Sequence, residues 1–465
     1  NRNAGIVNVP NSVNQVFYIE SLLVISTSGS THNDSPILTF PPIDKGCLTQ
    51  CFYHNPGAYD TDGDSLSYEL TYCRGTGGAI CPGYAYPANG GGTFKVDSVT
   101  GTLTWCTPQL QGEYNLAMYI KEWRMDASNH YVLIGYVIRD LQVDIGTCNN
   151  NDPDVVNIAD TCVVATSNLI VNVSANDPDG NVLTLTANGE PFHTGSTSST
   201  FTSTPAASSV NGTFSWTPDL AAIRRIPYQV TIKAEDSNPQ INLVHFNTFT
   251  IKVLPDGPIN LSTTPSNDFI VLKWNKPSTY STTGNNKLFR YMVYRKTGLS
   301  NWVHSNKETI PPAYTGFTFL GYSNNSVNDT IFFDFNSGNP FSPAQDYSYV
   351  VLAQYDDGST SYVSNIASSQ IYVGIKEIGL ANSDISVSPN PVTETALVSF
   401  NKPVDGSCTI ELVDVTGRNM RTFVTDRSSV KQNTYAINME DFNSGIYFIK
   451  IIHNDQIITK KIIKQ

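Results

Sequence analysis

No run of about 18 or more apolar residues occurs in the chain, so it encodes no helix of membrane-spanning length. Charge is scarce, at 15 % of 465 residues, and methionine scarcer still, at 5. A basic excess is missing as well: the formal net charge is −12, which argues against nucleic-acid binding, since that calls for a basic face. The opening "NRNAGIVNVP" has no charged n-region, no apolar h-region and no initiator Met, so it reads as the interior of a longer precursor. Catalytic signatures are missing too. There is no Gly-x-Ser-x-Gly, no His-Glu-x-x-His and no phosphate-cradling Gly loop. The seven His residues (His32, His54, His130, His193, His245, His304 and His453) are scattered singly. Glu122 and Asp126 form the one carboxylate pair of glycosidase type, but no second motif supports it. The expectation is a non-catalytic chain.

What is abundant is Tyr (24), Phe (21), Gly (32) and Pro (26), a mix that suits short pleated strands and turns. The expected class is all-β. The length implies about three to five domains. Charge divides the chain. Residues 375–465 carry ten basic and ten acidic groups, so the whole −12 belongs to the residues before them.

The eight cysteines are clustered, which points to disulfides in an oxidising compartment. Spacing does not fix their connectivity. The local pairs are Cys47 with Cys51, Cys73 with Cys81, and Cys148 with Cys162. A zinc site on Cys47, Cys51 and His54 is the alternative, weakened by the lack of a matching second ligand pair. Cys408 stands alone in a strand-like run and reads as a small buried hydrophobe.

Two segments echo each other. "NPGAYDTDGDSLSYEL" is followed by "GTLTWCTPQLQGEYNLAMYIKEW", and "SANDPDGNVLTLT" by "NGTFSWTPDLAAIRRIPYQVTIKAED". Each has an acidic Asp-Gly turn, an alternating strand, Gly-Thr-x-x-Trp ending at Trp105 or Trp216, and a further alternating strand. In the second copy Tyr228, Val230 and Ile232 point one way and Gln229, Thr231 and Lys233 the other, which predicts one buried face. A repeat of roughly a hundred residues means tandem sandwiches. These motifs resemble the cadherin-like, Ig-like repeats of bacterial surface proteins, a family that implies antiparallel sandwiches, often with calcium at module ends. Asp60, Asp62 and Asp64 crowd hard oxygen ligands into one turn, as Ca²⁺ requires. Asn176, Asp177 and Asp179 form the second such turn, with Asn181 in place of the last Asp, and Glu235 and Asp236 are expected to approach it as in the family's pattern. The competing explanation is that Asp-Gly merely builds a tight turn. Tyr84 and Tyr86, in "CPGYAYPANGGG", are the candidates for an aromatic strip that binds carbohydrate.

From Gly257 the pattern changes. Trp274, Tyr291, Tyr294, Tyr347 and Tyr349 fall where a fibronectin type III domain, which residues 257–373 resemble, keeps its core aromatics. No Arg-Gly-Asp occurs.

The last ninety residues read as about seven strands. Their ordered motifs are Pro389-Asn390-Pro391, an Asp-x-x-Gly-Arg turn ending at Gly417 and Arg418, Gly-x-Tyr-x-x-Lys at Gly445, Tyr447 and Lys450, and a terminal strand with Lys460, Lys461 and Lys464. They resemble the type A C-terminal sorting domain of the type IX secretion system of Bacteroidota. The resemblance implies an Ig-like sandwich recognised by an outer-membrane translocon and its β-barrel shuttle protein. It also implies removal by a sortase-like peptidase, with release or attachment to a cell-surface glycolipid. Gly445 is expected to adopt backbone angles that other residues avoid. In the terminal strand Ile457, Thr459, Lys461 and Ile463 share one face and Ile458, Lys460, Ile462 and Lys464 the other, neither purely apolar.

The expected architecture is tandem antiparallel Ig-like β-sandwiches. Residues 1–46 form an incomplete module or leading strands, 47–150 and 151–256 the two repeats, 257–374 the fibronectin-like domain and 375–465 the sorting domain. The expected role is adhesin-like or structural, secreted or at the cell surface. The alternatives are the accessory stalk of an enzyme whose catalytic domain lies upstream, or a carbohydrate-binding module.

Overall fold

Alternating apolar and polar residues build the elements of the structure. It is a computed structural model that describes all residues except 1, 26–31, 127, 129, 195–196, 267–268, 281–286, 305–307, 324–325, 339–340, 343, 371–383, 402–407, 426–433 and 454–455. The described regular elements are strands and short 3-10 turns, so the chain is all-β. It divides into two units, Asn1–Gln370 and Ile371–Gln465. The expected boundary at 374/375 lies outside the described residues.

The first sandwich places Ser65–Thr71, Gly112–Met125, Tyr131–Gly146 and Ser21–Leu23 in one sheet and Cys51–His54, Leu103–Cys106 and Phe94–Val96 in the other. Trp105, Leu116, Met118 and Ile120 fill the space between them, where each alternate residue of a strand must point. The opposite face of Gly112–Met125 is covered by the N-terminal segment. There the Asn8 side chain exchanges hydrogen bonds with the Asn115 backbone, and Arg2 makes a buried ion pair with Asp140 at 2.9 Å.

The second sandwich repeats the plan, with Leu169–Asn176 and Ser209–Trp216 facing Val182–Gly189, Tyr228–Asp236 and Val244–Leu254. The two tryptophans are equivalent. Trp105 packs edge-on against Tyr114 at 4.8 Å and donates to the Ala88 carbonyl; Trp216 packs against Tyr228 at 4.9 Å and donates to the Thr197 carbonyl. Tyr228, Val230 and Ile232 are buried as expected, but Thr231 is buried too. The reason lies in the neighbouring sandwich, which packs sideways on this one. Phe40 meets Phe246, Tyr53 meets His245, and the Gln229 side chain donates to the Val99 carbonyl.

In residues 257–370 a three-stranded sheet (Ile259–Pro265, Ile270–Asn275, Ile331–Asp334) faces a four-stranded one (Thr318–Tyr322, Leu288–Thr297, Asp346–Tyr355, Ala367–Gln370). Trp274, Tyr291 and Tyr349 are buried between them. Among the described residues the second unit also has seven strands. Ile385–Ser388, Thr395–Phe400 and Thr434–Asn438 oppose Asn419–Thr425, Cys408–Val413, Gly445–His453 and Gln456–Lys464.

Candidate functional site: the clamped terminal strand and the acidic turns

The last strand, Gln456–Lys464, is an edge of its sheet and pairs on one side with Gly445–His453. Ile458, Lys460, Ile462 and Lys464 share its core-facing side. Ile462 is fully buried and Ile458 packs beside it, with Lys460 and Lys464 half-buried between and beyond them. Ile457 and Lys461 face solvent.

An unpaired sheet edge exposes backbone donors and acceptors. Here Pro389-Asn390-Pro391 covers part of it. Asn390 Nδ2 donates to the Lys461 carbonyl and Asn390 Oδ1 accepts from the Ile463 amide, both at 2.9 Å. Val392 continues the cover in parallel register, donating to the Ile463 carbonyl and accepting from Gln465. The first and last sorting motifs are thus one physical site. The Gly417-Arg418 turn lies at the other side of the sheet, joining Cys408–Val413 to the far edge strand Asn419–Thr425. Gly417 has φ 84°, where glycine is favoured.

The remaining sorting residues have local roles. Lys450 pairs with Glu411 across the sheet at 3.0 Å, and the Tyr447 hydroxyl donates to the Asn443 carbonyl. Lys464 Nζ donates to the Gln465 carbonyl. Gly445 departs from expectation. Its backbone is ordinary, and an added Cβ would meet a Tyr447 ring carbon at 3.8 Å and the Asn443 carbonyl at 3.9 Å, both ordinary contacts. The turn asparagine and aspartate at 454–455 lie outside the described residues.

The turns at Asp60, Asp177 and Asp414 share one device. Asp60 Oδ1 accepts the amides of Asp62 and Asp64 at 2.9 and 3.0 Å. Asp177 Oδ1 accepts those of Asp179 and Asn181, both at 2.9 Å. Asp414 Oδ1 accepts those of Thr416 and Arg418 at 2.9 and 3.0 Å. The second oxygen distinguishes them. Asp414 Oδ2 accepts from Arg418 Nε, and hydrogen bonds from Thr416 first, with Arg418 adding to them, hold this carboxyl down at about 2. Oδ2 of Asp60 and of Asp177 is buried and takes no hydrogen bond from any amide or hydroxyl, the Asp60 carboxyl meeting that of Glu122. Turn closure therefore accounts for one oxygen of Asp60 and Asp177, not for the other.

Around Asp60 the structure adds a residue that the sequence did not single out as a ligand. Glu122, fully buried, stands opposite Leu66 across the sheet and lies within hydrogen-bond reach of the Asp60 carboxyl. Burial first, and Asp60 second, push Glu122 up to about 8. Arg124 meanwhile grips Asp64 at 2.8 and 2.5 Å and lies 3.7 Å from Asp62. The turn carboxylates are thus divided: Arg124 answers Asp62 and Asp64, while Asp60 and Glu122 meet each other as a pair that shares a proton, with oxygens of the hard type that a divalent cation takes in the proton's place.

In the second copy Asp236, opposite Leu183 as Glu122 is opposite Leu66, is the approaching carboxylate. It accepts from Asn150 Nδ2 at 2.7 Å, and Asn150 accepts from Asn181 at 3.1 Å. Glu235 points elsewhere and pairs with Lys233, because successive strand residues face opposite sides. Asn176 is exposed at the end of its strand. Asn33 and Asp34 in the first copy match Asn150 and Asn151 in the second: Asp34 N donates to Asp62, and Asn151 N to Asp179.

The cysteines correct the local pairing. Cys47 is bonded to Cys148 and Cys51 to Cys106. The pairs Cys47–Cys51 and Cys148–Cys162 are excluded, and so is zinc on Cys47, Cys51 and His54, because neither cysteine keeps a thiolate. Strand pairing, not nearness in sequence, sets the bonds: Cys51 lies opposite Cys106, and Cys47 pairs with Gly146, two residues before Cys148. Cys73 and Cys81 are buried thiols. Tyr84 is tied inward, its hydroxyl donating to the Asn115 carbonyl, so the outermost ring of the aromatic cluster is Tyr72, stacked on Tyr86 at 4.9 Å.

Comparison with known proteins bears on the second unit. Residues 386–465 match the family model of the secretion system C-terminal sorting domain. The last domain is a type IX secretion sorting domain. The chain that carries it is a cargo protein of that system, exported across the outer membrane to be secreted or held at the cell surface. No curated protein matches the chain. Among solved structures it is similar to domains A168-A170 from titin (10% identity, 72% of this chain and 98% of that one, TM-score 0.21). It is also similar to the BSP domain of a biofilm associated protein (9% identity, 63% and 78%, TM-score 0.23). At these scores neither likeness carries an argument.

Proposed function

We propose that the first unit is the exported cargo, an adhesin-like or structural surface protein without catalytic activity, and that the second is its removable export handle. The observation that carries the handle is the Asn390 clamp, which makes the two ends of the sorting domain a single folded surface. In this reading the outer-membrane translocon and its β-barrel shuttle bind that surface. A sortase-like peptidase then cuts within the segment before it, releasing the cargo or joining it to a surface glycolipid.

The adhesive role rests on the third sandwich. Phe333 and Phe335 are each about half exposed, stack on one another at 6.2 Å and meet Phe269. Its strand order, three facing four, supports the fibronectin-like reading. In the first two sandwiches, read as cadherin-like, the crowded carboxyls of Asp60 and Glu122 and the unpartnered oxygen of Asp177 support calcium binding. Bound there, the ion would supply the positive charge that these buried carboxylates lack. The test is attachment of cells displaying the protein to protein- and glycan-coated surfaces. Loss of attachment in F333D/F335D with surface display intact supports the reading; unchanged attachment overturns it.

A further inference from the structure

We infer that Cys73 and Cys81 form a third disulfide in the exported protein. Arg74 and Ile80 pair as an antiparallel bridge, and the flanking hydrogen bonds run from Cys81 N to Cys73 O at 3.0 Å and from Gly75 N to Ala79 O at 2.7 Å. Cys73 and Cys81 are therefore the next residues directly opposite each other, at a hydrogen-bonded position. Such pairs keep their Cα atoms about 5.5 Å apart, inside the window of roughly 4.4–6.8 Å that a disulfide spans. Residues opposite one another in a ladder project to the same side, and both thiols lie in one buried cluster with Ile6, Val9 and Ala117. Register partners are already bonded nearby: Cys51 and Cys106, opposite each other at a non-hydrogen-bonded position of two antiparallel strands, are joined.

The surroundings offer the thiols little else. Cys73 Sγ reaches Asp140 Oδ1 at 3.8 Å, and Asp140 is already bound by Arg2 and Asn115. Burial first, and Asp140 second, push the Cys73 thiol up, so the folded site disfavours the thiolate that exchange requires. Oxidation therefore precedes closure of the N-terminal segment over the pair. The step is thiol–disulfide exchange with a disulfide-bearing oxidant protein of the cell envelope. One cysteine thiolate attacks the oxidant's disulfide to form a mixed disulfide. The other then displaces the oxidant, which leaves as a dithiol carrying the two electrons and two protons. The bond would fasten the hairpin on which Ile6 and Val9 pack, and so the cover over one face of Gly112–Met125.

Arg74 makes the test direct, because trypsin cuts after it and separates Cys73 from Cys81. The full exported chain is denatured with an alkylating agent and no reductant, digested and mapped, in a preparation where the Cys51–Cys106 link is observed. The expected result is that the Cys73 and Cys81 peptides travel as one linked species, parted by reductant, and that C73S leaves Cys81 open to alkylation. Alkylation of both cysteines before reduction, alongside an intact Cys51–Cys106 link, overturns the inference.

Discussion

The side chain of Asn390 holds the backbone of the terminal strand at two points, giving a hydrogen bond to the Lys461 carbonyl and taking one from the Ile463 amide, each 2.9 Å long. An amide side chain thus stands in for a neighbouring strand. Replacing Asn390 with Ala is expected to destabilise the second unit by about 1–2 kcal/mol, the scale of two exposed hydrogen bonds. Hydrogen exchange checks it: the Ile463 amide loses protection in N390A, while amides of Gly445–His453 keep theirs.

Ile462 is fully buried between Lys461 and Ile463. I462A should cost about 2–4 kcal/mol as a large-to-small core change, whereas I457A, on the solvent face, should cost little. Trimming Lys460–Gln465 removes Ile462 together with the Asn390 contacts. Secretion is expected to stop while the first unit keeps its melting transition. Secretion of the trimmed chain at normal level would contradict this.

Much of this architecture was legible in the sequence, because period-two alternation and the Gly-Thr-x-x-Trp strands report burial directly. The sorting motifs were legible for the same reason, being short and ordered along the chain. Three features were not. The disulfides span separations of 101 and 55 residues, set by which distant strands pair. Burial of Thr231 comes from a neighbouring sandwich that no local pattern encodes. Glu122 was hidden by a two-residue offset: matching Ile120-Lys121 to Ile232-Lys233 sets Glu122 against Ala234, whereas strand register sets it against Asp236. That register was the signal that could have found it.

Calcium is expected to raise the melting temperature of the first unit, and chelation to reverse it. E122Q keeps the shape but gives up a ligand charge, so it should weaken the calcium response of the first sandwich, leaving that of the second, at Asp177, in place. Calorimetry with and without calcium reads both. A melting temperature indifferent to calcium would assign the turns to chain reversal alone.

His54 is fully buried, both ring nitrogens lack partners, and burial first and Arg139 second push its pKa down to about 3 from 6.5. As pH falls below 6.5 the unfolded imidazole takes up a proton that the folded one refuses. The stability this group contributes is therefore whole above pH 6.5 and lost as pH falls toward 3, at about 1.4 kcal/mol per unit. Urea unfolding at pH 7 and pH 5 should show the loss, and H54L should lessen it.

The central claim is that the second unit is what exports the first. The most direct measurement is to delete residues 375–465 and assay the cell surface and medium for the remaining chain. The account predicts that the truncated protein folds but stays inside the outer membrane, and that restoring the segment restores export. Arrival of the truncated chain at the surface or in the medium at the level of the intact protein would contradict it.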